Sequence, residues 1–206
     1  MKKWLSKIAL VVYLAVGLVS AAFAQTVLVV GDSISAAYGL ETQQGWVALL
    51  EQKIKQANIS ARIVNASISG DTTAGGLQRL PQLLAEHQPS VVVLELGGND
   101  GLRGLSLDAM HANLQQMIEL AKAQQAQVVL LGMQLPPNYG PRYTQNFAQV
   151  YQQLATEHEI RLVPFFLEGI GGVAGMMQAD GIHPVAEAQP ILLANVWPIL
   201  EQVLMP

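Results

Sequence analysis

Four short polar segments in this chain carry residue types that together can perform acyl transfer: Gly31-Asp32-Ser33, Ser69-Gly70-Asp71, Gly97-Gly98-Asn99-Asp100 and Asp180-Gly181-Ile182-His183-Pro184. A hydroxyl nucleophile needs a base to take its proton, a group to orient that base, and donors for the developing oxyanion. Ser33 can be the nucleophile, at a turn where Gly31 permits a tight backbone. His183 can be the base, and Asp180, three residues earlier, can accept the second ring N–H from the same short turn. Pro184 biases His183 to extended backbone and suits the first position of a following helix. The oxyanion would draw on the backbone N–H groups of Ser33 and Gly70 and on the side-chain amide of Asn99. Glycine at 70 lets the backbone approach a substrate closely, and an amide at 99 donates without adding a charge.

Taken singly, each segment has a plainer use. A Gly-Asp-Ser turn caps helices well, residues 97–100 can make a plain turn into a capped helix, and His183 can be a helix-entry residue. Their common position argues for more. Apolar runs at 26–30, 62–65, 91–96, 128–131 and 160–163 read as strands. Helical spacing marks 46–56, a stretch around 77–84 interrupted at Pro81 and closed before Pro89, 107–125, a stretch around 147–154, and 184–204. Pro190 and Pro198 should kink or divide the last. Strands alternate with helices and their runs are apolar throughout, the pattern of a parallel sheet covered on both faces. The expectation is one three-layer α/β domain, too short for an eight-fold barrel of roughly 250 residues. In such sheets ligands bind at the carboxyl ends of the strands, and all four segments fall at that end.

The 206 residues are 51% hydrophobic and 13% charged, which excludes a disordered chain. Eleven basic against 15 acidic residues give a net charge of −4, so no basic field favours nucleic acid. Cysteine is absent, which removes disulfides, thiolate zinc sites and thiol nucleophiles. His87, His111 and His158 read as surface residues of helices without zinc-ligand spacing, so neither a metal nor a cofactor is expected. Glu95 ends an apolar strand and reads as a buried, hydrogen-bonded structural carboxylate outside the mechanism. Residues 169–174 fit the dinucleotide pattern G-x-G-x-x-A, but late in the chain and without a following βαβ unit, so a glycine-rich loop is the better reading. No Gly-x-Ser-x-Gly elbow occurs.

The amino terminus has a separate character. Lys2, Lys3 and Lys7 precede an apolar run from Ile8 to Val19, and Ala22-Phe23-Ala24 is a small-x-small cleavage pattern. The run is short for a membrane span, which needs about 20 residues. Residues 1–24 are therefore expected to be an export signal cleaved after Ala24, leaving a domain of 25–206; an uncleaved anchor is the alternative. Cleavage removes three of the 11 basic residues and none of the 15 acidic ones, which makes the net charge −7.

The same segments resemble the blocks of the GDSL, or SGNH, hydrolase family. Ser33, Gly70, Asn99 and His183 match its four signature residues, and Asp180 stands three before the histidine as the family pattern requires. The similarity continues through Asn65-Ala66-Ser67-Ile68-Ser69-Gly70-Asp71-Thr72, through Glu95 to Arg103, and through Leu135-Pro136-Pro137-Asn138-Tyr139-Gly140. It looks like the bacterial thioesterase I, lysophospholipase and arylesterase branch, with Ile34 where the family motif has leucine. The resemblance implies a flavodoxin-like α/β/α fold with a five-stranded parallel sheet and metal-free hydrolysis through an acyl-serine. It further implies a monomer acting on small-molecule acyl esters and thioesters, among them aryl esters, acyl-CoA and lysophospholipids, with some members cleaving peptide-like esters. A carbohydrate deacetylase of the same superfamily and a non-catalytic binding module are the alternatives. Periplasmic or secreted location, without stable membrane insertion after cleavage, fits the signal. Leu102, Leu135, Tyr139, Met176 and Met177 are candidates for an apolar acyl groove. Arg103 and Arg142 read as solvated side chains, an anionic head group being the other possibility.

Overall fold

The apolar runs form strands, and the lack of alternation follows from where the strands lie. In the computed structural model, which describes residues 25–205, β1 (Gln25–Gly31), β3 (Val91–Glu95) and β4 (Gln127–Leu131) occupy the middle of a five-stranded, all-parallel sheet. β2 (Ala61–Asn65) and β5 (Arg161–Val163) are its edges, in the order β2-β1-β3-β4-β5. The expected export signal, residues 1–24, lies outside the described residues. Val27 to Val30 and Val91 to Leu94 are fully buried because helices cover both faces. α1 (Trp46–Gln56) and α6 (Gln189–Leu204) pack on one face; α2 (Thr73–His87), α4 (Leu107–Ala123) and α5 (Pro141–Glu157) pack on the other. The edge strand β2 departs from the all-apolar pattern: Arg62 and Asn65 are exposed and its other residues half-buried.

The expectations about the prolines are corrected. Pro81 does not interrupt α2, which runs through it. The proline ring lies on the exposed side, and Leu80 and Leu84 on the opposite side are buried. Two such leucines contribute about 1.5–3 kcal/mol each, enough to offset the roughly 3 kcal/mol of an interior proline. Pro184 does not open the last helix: it pairs with Met177 in an antiparallel bridge, and α6 begins only at Gln189. Pro190 sits in the first turn of α6, where a missing N–H is no loss, and Pro198 lies within α6 without dividing it. Residues 97–100, whose plainer reading is a turn into a capped helix, form the entry and start of a one-turn helix, α3 (Gly98–Leu102). Its glycines are poor helix formers; tertiary contact holds it, since buried Asp100 accepts from the Thr73 N–H at 2.9 Å and the Thr73 hydroxyl at 2.6 Å. His87, His111 and His158 are half-buried at helix surfaces and not fully exposed.

The strand order reverses direction between β1 and β3: the chain leaves β1 toward β2 on one side and enters β3 on the other. A crevice opens at the carboxyl ends at such a switch point. The segments after β1 and β3 carry Ser33 and Asn99.

Candidate active site

The backbone turns sharply after β1, and three bonds shape the turn. Asp32 accepts from the Ile34 N–H through its side chain at 3.1 Å, while Ala36 N–H reaches the Asp32 carbonyl and Tyr38 N–H the Ser33 carbonyl, each at 3.0 Å. From β2, Asn65 donates to the Ser35 carbonyl at 2.8 Å. Gly31 has to be glycine here: a Cβ would lie 2.6 Å from Glu95 Oε2, because Gly31 and Glu95 face each other in register at the ends of β1 and β3.

A second tight structure carries His183. The chain from Met177 to Pro184 doubles back, bridged at those two residues and turned at Gly181, whose φ is +68°. Gln178 N–H donates to the His183 carbonyl at 2.7 Å, and the Gln178 amide ties the hairpin to the Tyr38 carbonyl at 2.8 Å. His183 Nε2 stands 2.8 Å from Ser33 Oγ, and His183 Nδ1 stands 2.6 Å from Asp180 Oδ2. The other oxygen of Asp180 accepts from the backbone of Ile182 at 2.9 Å and of His183 at 3.0 Å. The His183 hydrogen bond, followed by these backbone bonds, holds the Asp180 carboxyl down at about 2. An ionised Asp180 fixes the tautomer: Nδ1–H donates to it, and Nε2 accepts the Ser33 proton. The Tyr38 ring lies against the imidazole, with centroids 4.4 Å apart.

Of the three expected oxyanion donors, Ser33 and Asn99 line the same cleft as His183, and Gly70 is not among its lining residues. Neither the Ser33 nor the Gly70 N–H donates to another described residue, and Gly70 has φ +79°, a left-handed conformation that favours glycine. Asn99 is differently placed: its side-chain N–H groups already reach Asp32 Oδ2 at 3.0 Å and the Asp71 carbonyl at 2.9 Å. Arg79, which the sequence reading did not single out, braces this region from α2. It pairs with Asp71 at 2.8 Å and donates to the carbonyls of Ala66 and Gly31. Arg103, read as solvated, donates to the Gly70 carbonyl at 2.8 Å and so spans the gap between α3 and the Gly70 turn.

The residues Ser33, Asn99 and His183 line a cleft of about 480 Å3 whose walls are mostly apolar. Of the five groove candidates, Leu102, Leu135 and Met177 are on its wall. Tyr139 is not; its hydroxyl turns away to the Leu102 carbonyl at 3.1 Å. Met176 is not either, and packs against the core. The sequence reading missed Met133, Phe165 and Leu167, which also line the cleft. They follow β4 and β5 directly, so the rule that ligands gather at strand carboxyl ends was the available signal. Gly171 and Gly172 of the glycine-rich loop also reach the cleft. Among the described residues no group of three His, Cys, Asp or Glu side chains is arranged to hold a metal.

This fold, with the hydrogen-bonded row Ser33–His183–Asp180 beside the switch point, agrees with the comparisons with known proteins. The model of the GDSL-like Lipase/Acylhydrolase family matches residues 29–189, and the chain belongs to that family. It is 62% identical over 183 residues to Esterase TesA of Pseudomonas aeruginosa, covering 89% of this chain and 91% of that one. It is 46% identical over 172 residues to thioesterase 1/protease 1/lysophospholipase L1 of Escherichia coli, covering 84% and 81%. Among solved structures, the psychrotrophic esterase EstA from Pseudoalteromonas, in a form inhibited by monoethylphosphonate, superposes with a TM-score of 0.84 at 38% identity, covering 88% of this chain and 100% of that chain.

Proposed function

We propose that the protein is a serine hydrolase of acyl esters and thioesters that works through an acyl-serine intermediate. The observation that carries this reading is the continuous row Asp180–His183–Ser33, with contacts of 2.6 and 2.8 Å, opening onto an apolar cleft. His183 takes the Ser33 proton as the hydroxyl attacks the acyl carbonyl. The oxyanion accepts from the Ser33 and Gly70 N–H groups and competes with the Asp71 carbonyl for an Asn99 N–H. His183 then protonates the leaving alcohol or thiol and, in the second half, activates water. Asp180 keeps the imidazole in the required tautomer and stabilises it when charged. The mainly apolar wall favours acyl chains over sugars as the group held beside Ser33. Relatives named esterase, arylesterase and thioesterase/lysophospholipase support the same class.

The proposed chemistry needs no residue beyond those of one chain. No helix among the described residues is long and apolar enough to cross a membrane. The charged head, apolar run and small-x-small pattern of residues 1–24 support export with cleavage after Ala24; a mature protein whose sequenced amino terminus is not Gln25 would overturn that site.

The test is hydrolysis of short- and long-chain aryl acyl esters by the cleaved protein and by Ser33→Ala, with a phosphonate titration of active sites. Turnover in the parent, collapse in the variant and one phosphonate bound per chain are expected. Equal rates in both proteins would remove Ser33 as the nucleophile.

A further inference from the structure

Glu95 and Asp32 form a buried carboxyl pair directly behind Ser33 and Asn99, and the mechanism above uses neither. Both residues are almost wholly inaccessible, at 0% and 3% exposure. Glu95 Oε2 accepts two hydrogen bonds, from the Ser35 hydroxyl at 2.6 Å and from the Asp32 N–H at 3.2 Å. The Ser35 oxygen in turn accepts from the Trp46 indole at 3.1 Å. Glu95 Oε1 is buried with no donor. Asp32 is the reverse case, with a donor on each oxygen: Ile34 N–H on one and the Asn99 amide on the other.

Two adjacent buried carboxylates without a cation cannot both be ionised. Among the described residues no Lys or Arg pairs with either, and the nearby Arg79 of α2 is spent on Asp71 and two carbonyls. The other titratable groups facing the pair are His183, from the hairpin ahead of α6, and Tyr151 of α5. One proton therefore belongs to the pair, and the pattern of donors assigns it. Asp32 is fully solvated by donors as an anion, whereas Glu95 has one oxygen that accepts twice and one that nothing reaches.

We infer that Glu95 is a neutral carboxylic acid whose Oε1–H donates to the Asp32 carboxylate, and that the charge thus held on Asp32 orients the Asn99 amide with its N–H side toward the oxyanion position. Glu95 is a positioning residue acting through Asp32 and Asn99. Its proton is not transferred in the reaction. The two acids are adjacent, with the Asp32 N–H 3.2 Å from Glu95 Oε2, and burial pushes both carboxyls up, Asp32 to about 6 and Glu95 well above its ordinary range. Protonating Asp32 would remove the anion that, together with the Asp71 carbonyl, selects one face of the amide, and a flipped Asn99 would present its carbonyl to the oxyanion.

The catalytic half of this inference rests on the proposed esterase reading, so the experiment has two arms. In the first, infrared spectra of the cleaved protein at about pH 7.5 are expected to show a protonated-carboxyl stretching band that Ser33→Ala keeps and Glu95→Gln lacks. Absence of the band overturns the neutral Glu95 whatever the enzyme hydrolyses. In the second, kcat and KM for an aryl ester are followed against pH in the parent, Glu95→Leu and Glu95→Gln. Glu95→Leu, losing the donor, should lower kcat by about 10–100-fold with KM little changed and move the acid limb upward, short of losing the Asn99 donor itself. Glu95→Gln, whose amide donates to Asp32 and accepts from Ser35, should recover most of kcat and the parental acid limb. Equal losses in the two variants, or a Glu95→Leu acid limb that does not move, would overturn the positioning role. A parent that shows the band but hydrolyses no ester would overturn the esterase reading instead. If Glu95→Leu fails to fold, the infrared band and the Glu95→Gln profile still decide.

Discussion

Asn99 commits both of its amide protons within the free site, to Asp32 and to the Asp71 carbonyl. Such an amide is well aimed, because a charged acceptor on one side leaves it a single favourable orientation. Asn99→Ala should therefore lower kcat by about 10²–10³-fold and leave KM nearly unchanged; steady-state kinetics giving less than a few-fold loss would remove Asn99 from the oxyanion role. The groove offers a second prediction. Leu135 is buried on the cleft wall and also packs where a Cβ on Gly101 would sit, while Tyr139 points its hydroxyl to Leu102. Leu135→Ser should thus reduce long-chain ester turnover more than short-chain turnover, whereas Tyr139→Phe should leave that ratio unchanged. Chain-length ratios measured on aryl esters check both, and a ratio unaffected by Leu135→Ser would take that residue out of the groove.

At the scale of elements, the site depends on α3 being locked in place. Gly97 enters it at φ +111°, and a Cβ there would overlap the Tyr151 hydroxyl, which donates to the Leu96 carbonyl at 2.9 Å. Asp100 fastens the same turn to the start of α2 through Thr73, and Asn113 of α4 donates to the Thr73 hydroxyl at 3.0 Å. One short helix is thereby held by three others. Gly97→Ala should destabilise the fold by about 1–3 kcal/mol from backbone strain and a similar amount from overpacking. It should also reduce kcat in the fraction that remains folded, because Asn99 moves with α3. Denaturant melts together with active-site titration check this. Parental stability would mean that the α3 entry relaxes without cost.

For the whole molecule, the buried pair and Asp180 pull stability in opposite directions with pH. Asp32, pushed up to about 6 by burial, and Glu95, raised for the same cause, bind protons more readily folded than unfolded. Their contribution is complete at low pH and is lost as pH rises through the raised values. Asp180, held at about 2 mainly by His183, binds its proton less readily when folded. Its contribution is present above the ordinary carboxyl range and is lost as pH falls toward 2; being partly exposed, it counts for less. The thermal midpoint should accordingly rise as pH is lowered from about 8 to about 5 and fall below about 4. Scanning calorimetry of the parent beside an Asp32→Asn, Glu95→Gln double variant measures it, the rise being absent from the variant. A parental midpoint with the same pH dependence as the variant would contradict the raised values.

The residues of the site were legible because they obey local rules. Apolar runs of four to six residues announced five strands, polar glycine-containing segments marked their ends, and the three-residue spacing of Asp180 and His183 needs only one turn of chain. What the folded chain alone decided is how distant segments meet. Ser33 and His183 are 150 residues apart in sequence, and their 2.8 Å contact depends on strand order and on the Met177–Pro184 hairpin. Glu95 looked like an ordinary buried carboxylate until the register of β3 against β1 set it beside Asp32. Arg79 carries no sequence signal for bracing Asp71, and Pro81 was read as a break because helix propensity is local while the burial of Leu80 and Leu84 is not. Periodicity and turn chemistry are properties of neighbouring residues and can be read in order along the chain. Charge pairing, close packing and the sharing of one proton between two acids depend on distances in space, which only the assembled sheet and its helices establish.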